Sequence, residues 1–145
     1  MKTKEYLRDY RSPKPSSAVT SKIMSSIRGK NTQPEIIVRK MLFNRGYKGY
    51  RIHYKKVPGS PDVVFTKKKL AIFINGCFWH QCPTCRLLLP KSNKEFWKNK
   101  LDNNVKRDYK KIMDLKELGW KTLTFWECEI KKNPQIVIDK IISYI

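Results

Sequence analysis

Residues 70–74 of this 145-residue chain, Leu-Ala-Ile-Phe-Ile, form an unbroken apolar run that reads as a buried strand. The run empties into Asn75-Gly76-Cys77-Phe78-Trp79-His80-Gln81-Cys82-Pro83-Thr84-Cys85, and the one remaining cysteine, Cys128, follows a second stretch, residues 120–126, that reads as a buried strand. Thiolates suit zinc, which takes four tetrahedral ligands in structural sites. If Cys77, Cys82, Cys85 and Cys128 share one ion, the loop after the first strand and the end of the second must meet, which adjacent strands of one sheet would achieve. Such a closed set leaves no open coordination position, so the zinc would be structural. The alternatives are small apolar thiols without metal, or three cysteines with another fourth ligand, for which His80 is a candidate.

The rest of the chain arranges itself around this staple. Thr32-Gln33-Pro34-Glu35 has the form of a capping box and opens a helix with Ile36, Ile37, Met41 and Leu42 on one face and Gly46 at its end. Residues 48–54 read as a strand, and 62–66 and 70–74 as an antiparallel pair joined by Lys67-Lys68-Lys69. Ser92-Asn93-Lys94-Glu95 is a second capping box, opening a helix to about residue 118. A strand at 120–126 and a helix from Asn133-Pro134 complete the order α-β-β-β-α-β-α, a mixed sheet flanked by helices in the α/β class. Residues 1–20 are polar and basic without apolar period and read as a flexible arm, with 21–145 as the single folded domain.

Charge and chemistry then narrow the function. Lys and Arg number 32 against 12 Asp and Glu, a net charge of +20, which favours a polyanion partner because neutralised phosphates release counterions. A Lys-rich composition from an AT-rich genome would produce part of the same excess. No stretch is apolar enough to span a membrane, and the first residues carry no signal-peptide pattern, so the expected location is the cytoplasm. Asp62 opens an apolar strand, where a carboxylate would bind a hard cation such as Mg²⁺, and phosphodiester cleavage uses such an ion. His80 is a general acid–base candidate near neutral pH. Asp108 interrupts the stripe Leu101, Val105, Ile112 and Leu115 on the long helix, with Asn104 on its face; it either orients an active-site imidazole or pairs with a lysine. Glu35 is explained by capping alone, unless its helix end faces Asp62. Phe78, Trp79 and Trp97 cluster near the cysteine loop, where rigid aromatics on a basic surface can stack on bases or wedge between them.

Val57-Pro58-Gly59-Ser60-Pro61-Asp62, Asn75-Gly76-Cys77-Phe78-Trp79-His80, Glu95-Phe96-Trp97, Asn104-Val105-Lys106-Arg107-Asp108, Glu117-Leu118-Gly119-Trp120 and Trp126-Glu127-Cys128 occur in this order. Together they resemble the very short patch repair endonucleases, bacterial enzymes that nick DNA beside a T:G mismatch, over the chain from about Ser21 onward. The resemblance implies a restriction-endonuclease-like fold, a structural zinc and a catalytic Mg²⁺. It implies that Asp62 and the backbone carbonyl of Ile74 hold the Mg²⁺, that His80 is catalytic with Asp108 supporting it, and that Glu35 lies near the site. It makes Phe78, Trp79 and Trp97 major-groove wedges and Met24 a minor-groove one. Asn75 stands where some members have a second active-site histidine, and Cys82 where they have a zinc-ligand histidine, with Cys85 one residue further on than the next ligand. An all-cysteine site then remains coherent and frees His80 for catalysis. The implied substrate is duplex DNA nicked 5′ to the thymine of a T:G mismatch. The implied associations are with a cytosine-5 DNA methyltransferase and mismatch-repair proteins, for a monomer working at the bacterial nucleoid. A restriction-like nuclease needing no mismatch is the second reading, and a zinc-stabilised DNA-binding module without catalysis the third; Asp62, His80 and Asp108 together speak against the third.

Overall fold

The computed structural model describes residues 30–145. Its elements are helix α1 (Gln33–Asn44), strands β1 (Arg51–Ile52), β2 (Val63–Phe65) and β3 (Leu70–Asn75), helix α2 (Lys94–Glu117), strand β4 (Lys121–Trp126), and helices α3 (Glu127–Lys132) and α4 (Pro134–Ile142). The strands form one sheet in the order β1-β2-β3-β4. β2 and β3 pair antiparallel with Val63 opposite Ile72, as a short connection allows. β3 and β4 pair parallel from Leu70 opposite Lys121 to Asn75 opposite Trp126, with α2 as the crossover. This is the mixed sheet flanked by helices that the sequence predicts, in the restriction-endonuclease-like arrangement.

β3 lies at the centre and is buried at all six positions, which is why it reads as a continuous apolar run rather than an alternating one. The strand period of two divides it between two cores. Leu70, Ile72 and Ile74 join Val38 and Leu42 of α1, Ile130 of α3 and Val137, Ile138 and Ile141 of α4 on one face. Ala71 and Phe73 meet Leu115 of α2 on the other, with Ile112 and Trp120 packed alongside. Each wholly buried Leu or Ile stabilises the fold by about 1.5–3 kcal/mol relative to exposure.

Several boundaries depart from the sequence reading. The strand expected over 48–54 shrinks to two residues, because His53 takes φ +45°, which ends the extended backbone. Ser92 caps nothing: Asn93 is the N-cap of α2, in the left-handed region and without a side-chain cap bond, so the second capping box does not form. Of the α2 stripe, Leu101 and Leu115 are buried but Val105 is 41% exposed. Ile136 on α4 is likewise exposed. α3 was not foreseen, and Cys128 sits in its first turn rather than at a strand end. The expected arm at residues 1–20 lies outside the described residues. Among the described residues no helix is long and apolar enough to cross a membrane.

Candidate functional site

The parallel pairing of β3 with β4 brings the ends of both strands to one edge of the sheet, Asn75 beside Trp126. The chain beyond β3 folds back tightly, His80 N–H donating to Gly76 C=O at 3.2 Å and Cys82 N–H to Cys77 C=O at 2.9 Å. Beyond β4, the Glu129 carboxylate accepts from Trp126 N–H at 2.9 Å and starts α3 at once. These two turns gather Cys77, Cys82, Cys85 and Cys128, whose sulfurs all lie within 4.8 Å of one another. Cys82 Sγ and Cys128 Sγ are 3.7 Å apart. That is far beyond a disulfide bond and close to the roughly 3.8 Å edge of a tetrahedron with 2.3 Å zinc–sulfur bonds. Cys128 N–H points at Cys77 Sγ, 3.4 Å away. Burial raises the Cys82 thiol, but hydrogen bonds from the backbone of Cys85 and Thr84 outweigh it and bring the group down to about 7, whereas burial pushes Cys77 up. The donor set and spacing fit a zinc ion.

On the inner side of this staple opens a cleft of about 930 Å³ lined by Glu35, His53, Asp62, Trp79, His80 and Asp108, among others. Asp62 enters it just ahead of β2. Its Oδ2 accepts from Ile74 N–H at 2.7 Å, tying the carboxylate to the middle sheet strand. Burial raises Asp62 to about 6, with the Glu35 carboxylate adding to the rise, against the lowering effects of the Ile74 bond and of His80 and Lys111. A buried carboxylate with a second one nearby is an oxygen-rich setting that a hard divalent cation would relieve. Glu35 does face Asp62. It is 3% exposed, and its carboxylate accepts from Asn31 N–H at 3.1 Å and from the Thr32 hydroxyl at 3.2 Å. The first capping box therefore does not form: the glutamate reaches back to Asn31 N–H and the Thr32 hydroxyl rather than to the N-cap N–H, and the Thr32 side chain makes no cap bond to the helix.

His80 and Asp108 meet from the cysteine loop and α2, the imidazole Nδ1 against Asp108 Oδ2. The other Asp108 oxygen lies 3.7 Å from Lys111 Nζ, so the carboxylate both orients the imidazole and pairs with a lysine. Asn104, one turn before Asp108, donates from its side-chain amide to Trp79 C=O at 3.0 Å and fixes the loop to α2. Phe78, Trp79 and Trp97 pack edge-to-face or tilted, with centroids 5.1–5.7 Å apart, and Lys100 Nζ sits 5.7 Å from the Trp79 ring. All three rings are half-buried and belong to neither core.

The structure thus brings Glu35, Asp62, His80 and Asp108 to one cleft, with Ile74 bonded to Asp62, the four cysteines to one cluster and the three aromatics to one stack. Met24 lies outside the described residues. His53 and Lys111, which line the cleft beside the acidic groups, escaped the sequence reading. His53 is one of only two histidines in the chain, which was a signal available without any structure. Lys111 carried none, being one cation among 32 Lys and Arg.

Residues 14–86 match the model of the family described as DNA mismatch endonuclease Vsr. A type II nicking enzyme of Neisseria meningitidis serogroup A is 42% identical over 111 residues, covering 77% of this chain and 79% of the relative. A type II nicking enzyme of Lentzea aerocolonigenes is 40% identical over 122 residues, 81% of this chain and 72% of its own length. The DNA mismatch endonuclease Vsr of Escherichia coli is 36% identical over 119 residues, 82% and 76% of the two chains.

Proposed function

The chain belongs to the Vsr family of DNA mismatch endonucleases, and on that premise we propose that it nicks one strand of duplex DNA 5′ to the thymine of a T:G mismatch. The observation that carries the proposal is the His80–Asp108 pair facing Asp62 and Glu35 across one cleft. With Nδ1 engaged by Asp108, Nε2 is the nitrogen that takes or gives a proton during phosphodiester hydrolysis. Asp108 holds the ring orientation and its tautomer. Asp62 and the Ile74 carbonyl would hold Mg²⁺, which neutralises charge developing on the phosphate. Glu35 stands beside Asp62 and orders the groups around it. The cysteines hold structural zinc, and the zinc loop presents Phe78 and Trp79, with Trp97, to the bases, while Met24 approaches from the minor-groove side.

T:G mismatches arise when 5-methylcytosine deaminates, so this activity implies a cytosine-5 DNA methyltransferase in the same cell, with mismatch-repair proteins as further partners and a monomer as the working unit. A second reading, site-specific nicking without a mismatch, is supported by the relatives whose names describe them as type II nicking enzymes. One assay separates the two: labelled T:G and T:A duplexes in several methylase contexts, incubated with protein and Mg²⁺ and mapped for nicks. A nick 5′ to T in T:G duplexes alone is expected. Equal nicking of T:A duplexes at a defined sequence overturns the first reading in favour of the second.

A further inference from the structure

His53 stands at the exit of β1, and the described chain holds it close to Glu35 and Asp62. Its backbone N–H donates to Asp62 C=O at 3.3 Å, and its own φ of +45° turns the ring inward from the edge strand. Its Nε2 lies 3.5 Å from Glu35 Oε2 and 3.4 Å from Asn31 Oδ1. Both separations exceed the range of a good N–H···O bond, so the ring is poorly explained as a hydrogen-bond partner of either group. The His53–Glu35 separation falls within the span of two ligands on one ion, since donors about 2.1–2.2 Å from an octahedral cation lie roughly 3.0 Å apart in cis and 4.3 Å in trans. Glu35, His53 and Asp62 each bring a ligand atom within 4.8 Å of the others. Three different elements supply them: the first turn of α1, the end of β1 and the entry to β2. The side chains of His53 and Glu35 are 15% and 4% exposed, so water is largely excluded from around them.

The geometry points to a second divalent-cation site, formed by Glu35, His53 and Asp62, that takes a first-row transition ion such as Mn²⁺ in preference to Mg²⁺. Two carboxylates neutralise a dication, and the remaining coordination positions stay open to water or phosphate. The imidazole supplies the selectivity: nitrogen suits borderline transition ions, whereas Mg²⁺ prefers oxygen and keeps its waters. This site goes beyond the Mg²⁺ position proposed above. It shares Asp62 with that position but uses no part of Ile74, and its test needs no DNA.

The test is Mn²⁺ binding to the full, zinc-loaded chain, followed by electron paramagnetic resonance, with nitrogen coupling read by pulsed methods. The chain has only two histidines, so His53→Gln and His80→Gln assign any imidazole coupling. Wild type and His80→Gln should show nitrogen coupling to bound Mn²⁺, and His53→Gln should lose it. His53→Gln and Glu35→Gln should each weaken Mn²⁺ binding by roughly tenfold or more, while the weaker Mg²⁺ competition changes less than about threefold in His53→Gln. Coupling that survives in His53→Gln, or disappears in His80→Gln, overturns the proposal. So does unchanged Mn²⁺ affinity in His53→Gln. Should His53→Gln fail to fold, the His80→Gln spectrum alone decides, because retained coupling can come only from His53. A protein that nicks T:G duplexes with Mg²⁺ but shows no Mn²⁺–imidazole coupling defeats this site alone. Coupling in a protein that nicks nothing defeats the proposed function alone.

Discussion

His80 has one ring nitrogen committed to Asp108, and that division makes the two residues separable by mutation. Replacing His80 by Ala removes the proposed proton carrier and should slow nicking on the order of 100-fold or more. Asp108→Asn keeps a ring partner but loses the carboxylate that fixes the tautomer, so single-turnover rates should fall by a smaller factor, on the order of 10-fold. Equal losses in both variants would argue that Asp108 touches the reacting groups itself. Asp62 makes a different prediction, readable without substrate. Its carboxyl is raised from 3.8 to about 6, chiefly by burial. Between about pH 4 and 6 the folded state therefore binds more protons than the unfolded state, and stability falls as pH rises through that window. In magnesium-free buffer, urea melts should show the wild type losing on the order of 3 kcal/mol between pH 4 and 6.5 relative to Asp62→Asn, which cannot ionise there. Parallel pH profiles would mean that Asp62 is better solvated than its position indicates. Asp62, His80 and Asp108 were legible in the sequence because each stands in a distinctive string or breaks an apolar pattern. His53 was not: its chemistry depends on three elements converging, and nothing in Arg51-Ile52-His53-Tyr54 announces the left-handed turn that aims it.

At the scale of elements, the apolar runs over β2 and β3 declared themselves because a strand buried on both faces can tolerate little else, and β4 by the alternation that buries Leu123 and Phe125. α3 did not, because Trp126-Glu127-Cys128-Glu129-Ile130 alternates apolar and polar residues as a continuing strand would. What ends β4 is a local bond, Glu129 capping Trp126 N–H, and the gain is position: the first turn of α3 carries Cys128 to the other cysteines. The cysteine cluster therefore joins the loop after β3 to α3. Cys128→Ser should lower the melting temperature as well as activity, and metal analysis of the wild type should find about one zinc per chain, as a single tetrahedral thiolate site requires. A metal-free wild type with the same melting temperature would remove zinc from the account. The turn before β2 offers a second test. Gly59 has φ +81°, and a Cβ there would lie 2.8 Å from Lys111 Cγ, the lysine that pairs with Asp108. Gly59→Ala should cost about 1 kcal/mol from backbone conformation alone, and chemical denaturation would show it.

For the whole molecule, the net charge of +20 gives attraction to any duplex, because phosphate contacts carry no sequence information. Discrimination must come from a part of the surface that meets bases. The stack of Phe78, Trp79 and Trp97 has the character for it: half-buried, outside both cores, braced by the Asn104 bond to Trp79 C=O and bordered by Lys100. A T:G wobble pair stacks less well than a Watson–Crick pair, so opening the duplex beside it costs less. A ring inserted there regains stacking on the order of 1–3 kcal/mol per base, offsetting an unstacking cost of a few kcal/mol. On a perfect duplex the same exchange is less favourable, and that difference would be the source of the proposed selectivity. Trp79→Ala should therefore reduce the ratio of T:G to T:A nicking, on the order of 10-fold for each 1.4 kcal/mol of stacking lost. Lys68→Ala, at an exposed position on the far side of β3 from the cysteine loop, should weaken binding to both duplexes alike and leave the ratio unchanged. Both variants must be compared at one salt concentration, since affinity for either duplex falls steeply as salt rises. A Trp79→Ala protein that melts lower yet discriminates as well as wild type would make the three rings a stabilising cluster beside the cysteine loop rather than a wedge.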